Sequence, residues 1–131
     1  LETSHVLPAM IRKFHEAKLN GNSPVQLWGT GSPMREFLHV DDLAQAVLFA
    51  LENKLGDSLY NIGTGSDLTI KELANLIQST IGHSGEVLWD SSKPDGTKKK
   101  LLNTQKINKL GWEAKISLFE GIKNVYEHYS D

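Results

Sequence analysis

An α/β fold with partly parallel strands is predicted by three features of this 131-residue chain. Apolar residues at helical spacing alternate with short apolar runs, so helices and strands follow one another. Thr69-Ile70-Lys71-Glu72 and Ser117-Leu118-Phe119-Glu120 have the spacing of capping boxes and mark two helix starts. Gly29-Thr30-Gly31 and Gly63-Thr64-Gly65 follow strand-like runs and end them in turns.

The first helix follows Thr3 or Ser4, either of which can cap it. Val6, Leu7, Met10, Ile11, Phe14 and Ala17 share one face, and Pro8 falls in the first turn, where its missing N–H costs little. Asn20-Gly21-Asn22 ends it. Val25-Gln26-Leu27-Trp28 reads as a strand, and Arg35 to Val40 as extended chain. Asp41 or Asp42 then caps a helix bearing Leu43, Ala44, Val47, Leu48 and Leu51. Leu59-Tyr60-Asn61-Ile62 is a second strand. The helix from the first capping box carries Ile70, Leu73, Ala74, Ile77 and Ile81 inward. Glu86-Val87-Leu88-Trp89 is a third strand, and the polar stretch from Asp90 to Lys100 a loop. Asn103 caps a short helix through Leu110. The last helix turns Leu118, Ile122, Val125, Tyr126 and Tyr129 inward.

Composition narrows the function. Hydrophobic residues are 39% and charged residues 23%, as in a soluble domain with one core. A net charge of -2 provides no large positive field for nucleic acid or an anionic membrane. No apolar run approaches the roughly 20 residues that span a bilayer. The chain has no cysteine, so disulfides, thiolate metal sites and a cysteine nucleophile are excluded within it. This suits a reducing, cytoplasmic compartment. The start at Leu1 without Met suggests a cut or processed chain.

Three places carry residues suited to chemistry. In the first, Trp28-Gly29-Thr30-Gly31 leads to Arg35 and Asp41-Asp42. Glycines let a ligand approach the backbone, an indole stacks on a base or covers a sugar face, and a guanidinium forks onto phosphate. Gly-x-Gly is weak alone, and Trp28 also suits a core. In the second, Lys93 and Asp95 can hold a diphosphate and a ribose, although Pro94-Asp95-Gly96 is equally an ordinary turn and the lysines a solvated face. A P-loop is excluded by spacing. The third is His5, since imidazole as a group can exchange protons near neutral pH. A terminal histidine is also commonly a surface residue. His15, His39, His83 and His128 form no metal-ligand pattern. Asn61-Ile62-Gly63-Thr64-Gly65 resembles a phosphate loop without a dinucleotide fingerprint around it.

Taken in order, these pieces resemble the C-terminal part of the GDP-L-fucose synthase family, among the extended short-chain dehydrogenase/reductases. The resemblance rests on Ser4-His5-Val6-Leu7-Pro8-Ala9, on Trp28-Gly29-Thr30-Gly31 with Pro33-Met34-Arg35-Glu36-Phe37-Leu38-His39-Val40-Asp41-Asp42, on Asn61-Ile62-Gly63-Thr64-Gly65, and on Ser92-Lys93-Pro94-Asp95-Gly96-Thr97. The second stretch occurs with variation across extended relatives, and the last is much narrower. Lys98, Lys99 and Asn103 stand where Pro, Arg and Asp are common, which leaves the loop conformation open.

The resemblance implies that residues 1–131 are a GDP-sugar-binding part, and that an N-terminal NADP-binding Rossmann domain is absent from the chain. It implies a homodimeric parent enzyme that takes GDP-4-keto-6-deoxy-mannose to GDP-L-fucose by epimerisation at C3 and C5 and reduction at C4. His5 matches the family acid and lies beside the cofactor. Lys13, Trp28 and Arg35 match positions that contact the GDP-sugar, and Asp95 falls in the loop over the nucleotide. The family's Ser, Tyr, Lys and Cys catalytic groups match nothing here. The helix from Asp41 is the element expected to return to the missing domain, its face exposed or covered by another copy. The competing readings are another extended nucleotide-sugar epimerase, dehydratase or reductase, and a non-catalytic nucleotide-sugar-binding module.

Overall fold

The computed structural model describes residues 5–56 and 58–130. Helix α1, Val6–Leu19, buries Met10, Ile11, Phe14 and Ala17, the stripe that its periodicity requires. Its N-cap is His5, in extended conformation, with no side-chain cap bond. The expected caps Thr3 and Ser4 lie outside the described residues. Strand β1, Val25–Trp28, turns Val25 and Leu27 into the core and Gln26 and Trp28 outward.

The centre of the molecule is α3, Ile70–Ile81, entered through the short strand β3, Leu68–Thr69. The Thr69 hydroxyl accepts from the Glu72 N–H at 3.1 Å, and the Glu72 carboxylate accepts from the Thr69 N–H at 2.7 Å. Leu73, Ala74, Ile77 and Ile81 pack on α1 and β1 and on Ile122 of α5, Leu118–Ser130. Strand β4, Val87–Asp90, lies parallel to β1, with Val87 opposite Val25 and Asp90 opposite Trp28. A second small sheet has β2, Met34–Arg35, at its middle. It runs antiparallel to β3 and parallel to β5, Lys99–Lys100. A smaller core joins Ala46 of α2, Val40–Glu52, to Ile107 of α4, Gln105–Asn108, and to Trp112.

Several expectations are corrected. The cap of α2 is His39, whose Nδ1 accepts from the Asp41 N–H at 3.2 Å; neither aspartate caps it. Asp42 is buried, and its carboxylate accepts from the N–H groups of Lys115 and Ile116 at 3.1 and 2.9 Å. The extended stretch after Arg35 ends where α2 begins at Val40. Residues 59–62 form no strand, because they have no ladder partner among the described residues. Tyr60 and Ile62 pack on the smaller core instead. The loop after β4 contains β5, so it is not wholly irregular. Thr104, not Asn103, holds the N-cap position of α4, while the Asn103 side chain accepts from the Gln105 N–H at 3.0 Å. That helix ends at Asn108 because the next turn tightens, with Gly111 N–H donating to Asn108 O. In α5 Leu118, Ile122 and Tyr126 meet the core as expected, whereas Val125 and Tyr129 are exposed. In α2 the apolar face is exposed too, up to 72% at Leu51.

Candidate functional site

A cleft of about 240 Å³ opens between α1 and the exits of β1 and β2. Its apolar floor includes Leu27, Pro33 and Ile70, and Val6, Ala9 and Met10 line it from α1. Lys13, Trp28, Arg35 and Asp95 also line it. Four of the five residues that sequence reasoning linked to a GDP-sugar are therefore brought together, although 82 positions separate Lys13 from Asp95; Lys93 is not among the lining residues. His5 is exposed at the head of α1, immediately before the cleft-lining Val6.

The glycines at the β1 exit make the cleft possible. Gly29 and Gly31 have φ of +83° and +78°, where a side chain is strained. A Cβ on Gly29 would collide with the Asp95 carboxylate, and one on Gly31 would come within 2.8 Å of the Trp89 ring. The turn is held by Gly29 N–H to Asp90 O and Lys71 N–H to Gly31 O, both 2.9 Å.

Each polar group has a defined partner. The Lys13 ammonium donates to Gln26 O at 2.9 Å. The Arg35 Nη1 donates to Met34 O and Thr97 O, each at 2.7 Å. A guanidinium has five N–H groups, so donors remain for a ligand. Trp28 is 58% exposed, and the Lys93 ammonium lies 5.3 Å from its ring centroid. Lys93 thus sits on the indole, and Asp95 bonds to the β1 exit. The Asp95 carboxylate accepts from the Thr30 N–H and hydroxyl, both at 2.7 Å. Sequence reasoning missed Thr30; its signal was a hydroxyl between two glycines.

These bonds hold the Asp95 carboxyl below the usual carboxylate range, the backbone N–H of Thr30 contributing most. A depressed folded-state value contributes stability above the ordinary Asp value, and that stability is lost as pH falls through the lowered value. The Thr30 amide proton resonance, followed by NMR, should therefore titrate with a midpoint below that of a free aspartate. Asp95→Asn should abolish that titration. A midpoint at or above the ordinary value contradicts the latch.

The sequence pattern of the NAD dependent epimerase/dehydratase family matches residues 1–63. A GDP-L-fucose synthase 1 from Arabidopsis thaliana is 52% identical over 128 residues, covering 98% of this chain and 40% of that protein. A GDP-L-fucose synthase from Escherichia coli strain K12 is 44% identical over 137 residues, covering 96% and 42%. The likeness to these relatives runs over nearly the whole of this chain. The chain spans about two fifths of the length of these curated relatives. Among solved structures, a GDP-mannoheptose C4 reductase from Campylobacter jejuni with NADP bound superposes with a TM-score of 0.86 at 39% identity. That match covers 98% of this chain and 46% of the reductase.

One of these similar structures has NADP bound, and the Gly63-Thr64-Gly65 loop would need free N–H groups to take a pyrophosphate. It does not fit one. The Glu36 carboxylate already accepts from the Gly65 N–H at 2.7 Å, and its negative charge repels phosphate. Among the described residues no group of His, Cys, Asp or Glu could hold a metal ion, and no helix is long and apolar enough to cross a membrane.

Proposed function

We propose that this chain is the C-terminal, GDP-sugar-binding part of a longer cytoplasmic, homodimeric enzyme that converts GDP-4-keto-6-deoxy-D-mannose to GDP-L-fucose. The observation that carries this reading is the convergence of Lys13, Trp28, Arg35 and Asp95 on one cleft. Two cations suit a diphosphate, and an exposed indole suits a base or sugar face. The relatives named GDP-L-fucose synthase support the substrate.

The C4 ketone acidifies C3–H and C5–H, because each carbanion is an enolate. A base takes the proton from one face, and an acid returns one to the other. His5 is the proposed acid, and it lies beside the cofactor in this reading. NADP(H), when bound, supplies the hydride for C4. Its Rossmann domain is assigned to the rest of the longer protein. The same domain is the proposed cover of the exposed α2 face, where Val47, Leu48 and Leu51 lie open. A stable protein rarely leaves such a face to water.

The test compares the full-length protein with the isolated 131-residue chain, following NADPH consumption with the keto-sugar nucleotide. Turnover by the full-length protein and none by the chain is expected. Absence of turnover by the full-length protein overturns the reading. A second reading, C4 reduction of a GDP-sugar without epimerisation, is favoured by the likeness to the mannoheptose reductase. Product formed in heavy water distinguishes them: deuterium at C3 and C5 requires epimerisation chemistry.

A further inference from the structure

We propose that Glu36 is a positioning residue that sets nucleotide affinity without touching the nucleotide, an inference that rests on reading the cleft as a GDP-sugar site. Arg35 and Glu36 are neighbours at the end of β2, so their side chains leave on opposite faces. Arg35 faces the cleft. Glu36 reaches the other way and gathers two loops. Its Oε2 accepts from the Gly65 N–H at 2.7 Å and the Thr64 hydroxyl at 3.3 Å. Its Oε1 accepts from the Leu102 N–H at 3.3 Å. The fit is close: a Cβ on the buried Gly63 would lie 2.8 Å from both carboxylate oxygens.

Leu102 ends a strap whose first residues, Pro94 and Asp95, line the cleft. This segment begins with Asp95 on Thr30, continues with Thr97 O on Arg35, and then pairs as β5 with β2. The pairing is short, with Met34 opposite Lys99 and Arg35 opposite Lys100. Two residues of ladder between exposed lysines hold a strand weakly. Glu36 supplies the fastening just beyond them. Hydrogen bonds to a charged acceptor are stronger than neutral ones, so one side chain ties the chains on both sides of β2 at the Arg35 end of that strand. Met34 N–H to Lys98 O at 2.8 Å, the Lys99–Asp67 pair at 3.3 Å and Asn61 Nδ2 to Asn103 O at 3.1 Å also hold this segment, so loss of the Glu36 fastening loosens the register of Thr97 on Arg35 without releasing it.

The experiment uses the full-length protein and GDP as the probe, by calorimetric titration well below the unfolding midpoint. Hydrogen exchange is read at Gly65 and Leu102, with Leu73 and Ile77 in α3 as internal controls. Glu36→Ala should weaken GDP binding by about tenfold and speed exchange at Gly65 and Leu102 by about tenfold or more. Exchange at Leu73 and Ile77 should stay unchanged. Glu36→Gln keeps one carbonyl acceptor and the side-chain length, so it should recover part of both effects and supplies the folded comparison. A purely structural role would lower the unfolding midpoint and leave GDP affinity as in wild type. Wild-type binding with unchanged affinity in both variants overturns the inference alone, as does unchanged exchange at Leu102. A wild-type protein that does not bind GDP overturns the reading of the cleft itself, and the inference falls with it.

Discussion

Replacing His5 by glutamine in the full-length protein is expected to slow solvent-deuterium incorporation at C3 and C5 by about 10²–10⁴-fold, the usual contribution of a positioned general acid. The side chain forms no cap bond, and His5 serves α1 through its backbone, with His5 O accepting from the Ala9 N–H at 3.1 Å. Glutamine leaves that bond in place, so the fold should be little affected. It is close to imidazole in reach and cannot deliver a proton near neutral pH. Reduction at C4 needs no inversion, so turnover of an already epimerised keto-sugar should fall far less. Deuterium incorporation followed by mass spectrometry, with NADPH consumption measured in parallel, separates the two steps. Equal exchange in wild type and His5→Gln leaves His5 as an exposed N-cap with no part in the chemistry.

What was legible in the sequence was what is local. The Thr69–Glu72 box lies within four consecutive residues and forms as the spacing requires. The stripe of Met10, Ile11, Phe14 and Ala17 is fixed by helical period alone, and so is that of α3. The family motifs likewise pointed to residues that the fold assembles into one cleft. What was not legible depends on partners far along the chain. Lys99–Lys100 has no strand-like alternation; it is a strand because β2 offers it a ladder. Asp42 is one of two cap candidates by sequence, yet its acceptors serve N–H groups 73 and 74 positions away. Residues 59–62 have the composition of a strand without a neighbour to pair with among the described residues. Glu36 stood inside a quoted motif, but nothing local to that motif points to the remote Gly65 and Leu102 N–H groups that its carboxylate serves.

Arg35→Ala is expected to weaken GDP binding to the full-length protein by roughly tenfold or more. A hydrogen bond to a charged group contributes about 1.5–3 kcal/mol, and about 1.4 kcal/mol is one decade in affinity. Arg35→Lys should recover only part of this, because an ammonium keeps the charge and loses the planar fork. The side chain has two duties that must be separated, since it also holds Thr97 O at 2.7 Å. Losing the strap would weaken any ligand that fills the cleft, with or without phosphate. Losing a phosphate anchor would weaken GDP and spare guanosine. Calorimetric titration with both ligands therefore decides the role, with circular dichroism to show that wild type and variants are folded. A fall for GDP much larger than for guanosine assigns Arg35 to the diphosphate. Equal falls for the two ligands assign it to the strap, and unchanged affinity for both rules out either role. The anchor is the expected result, because only Nη1 is spent on backbone carbonyls and Arg35 lines the same cleft as Lys13.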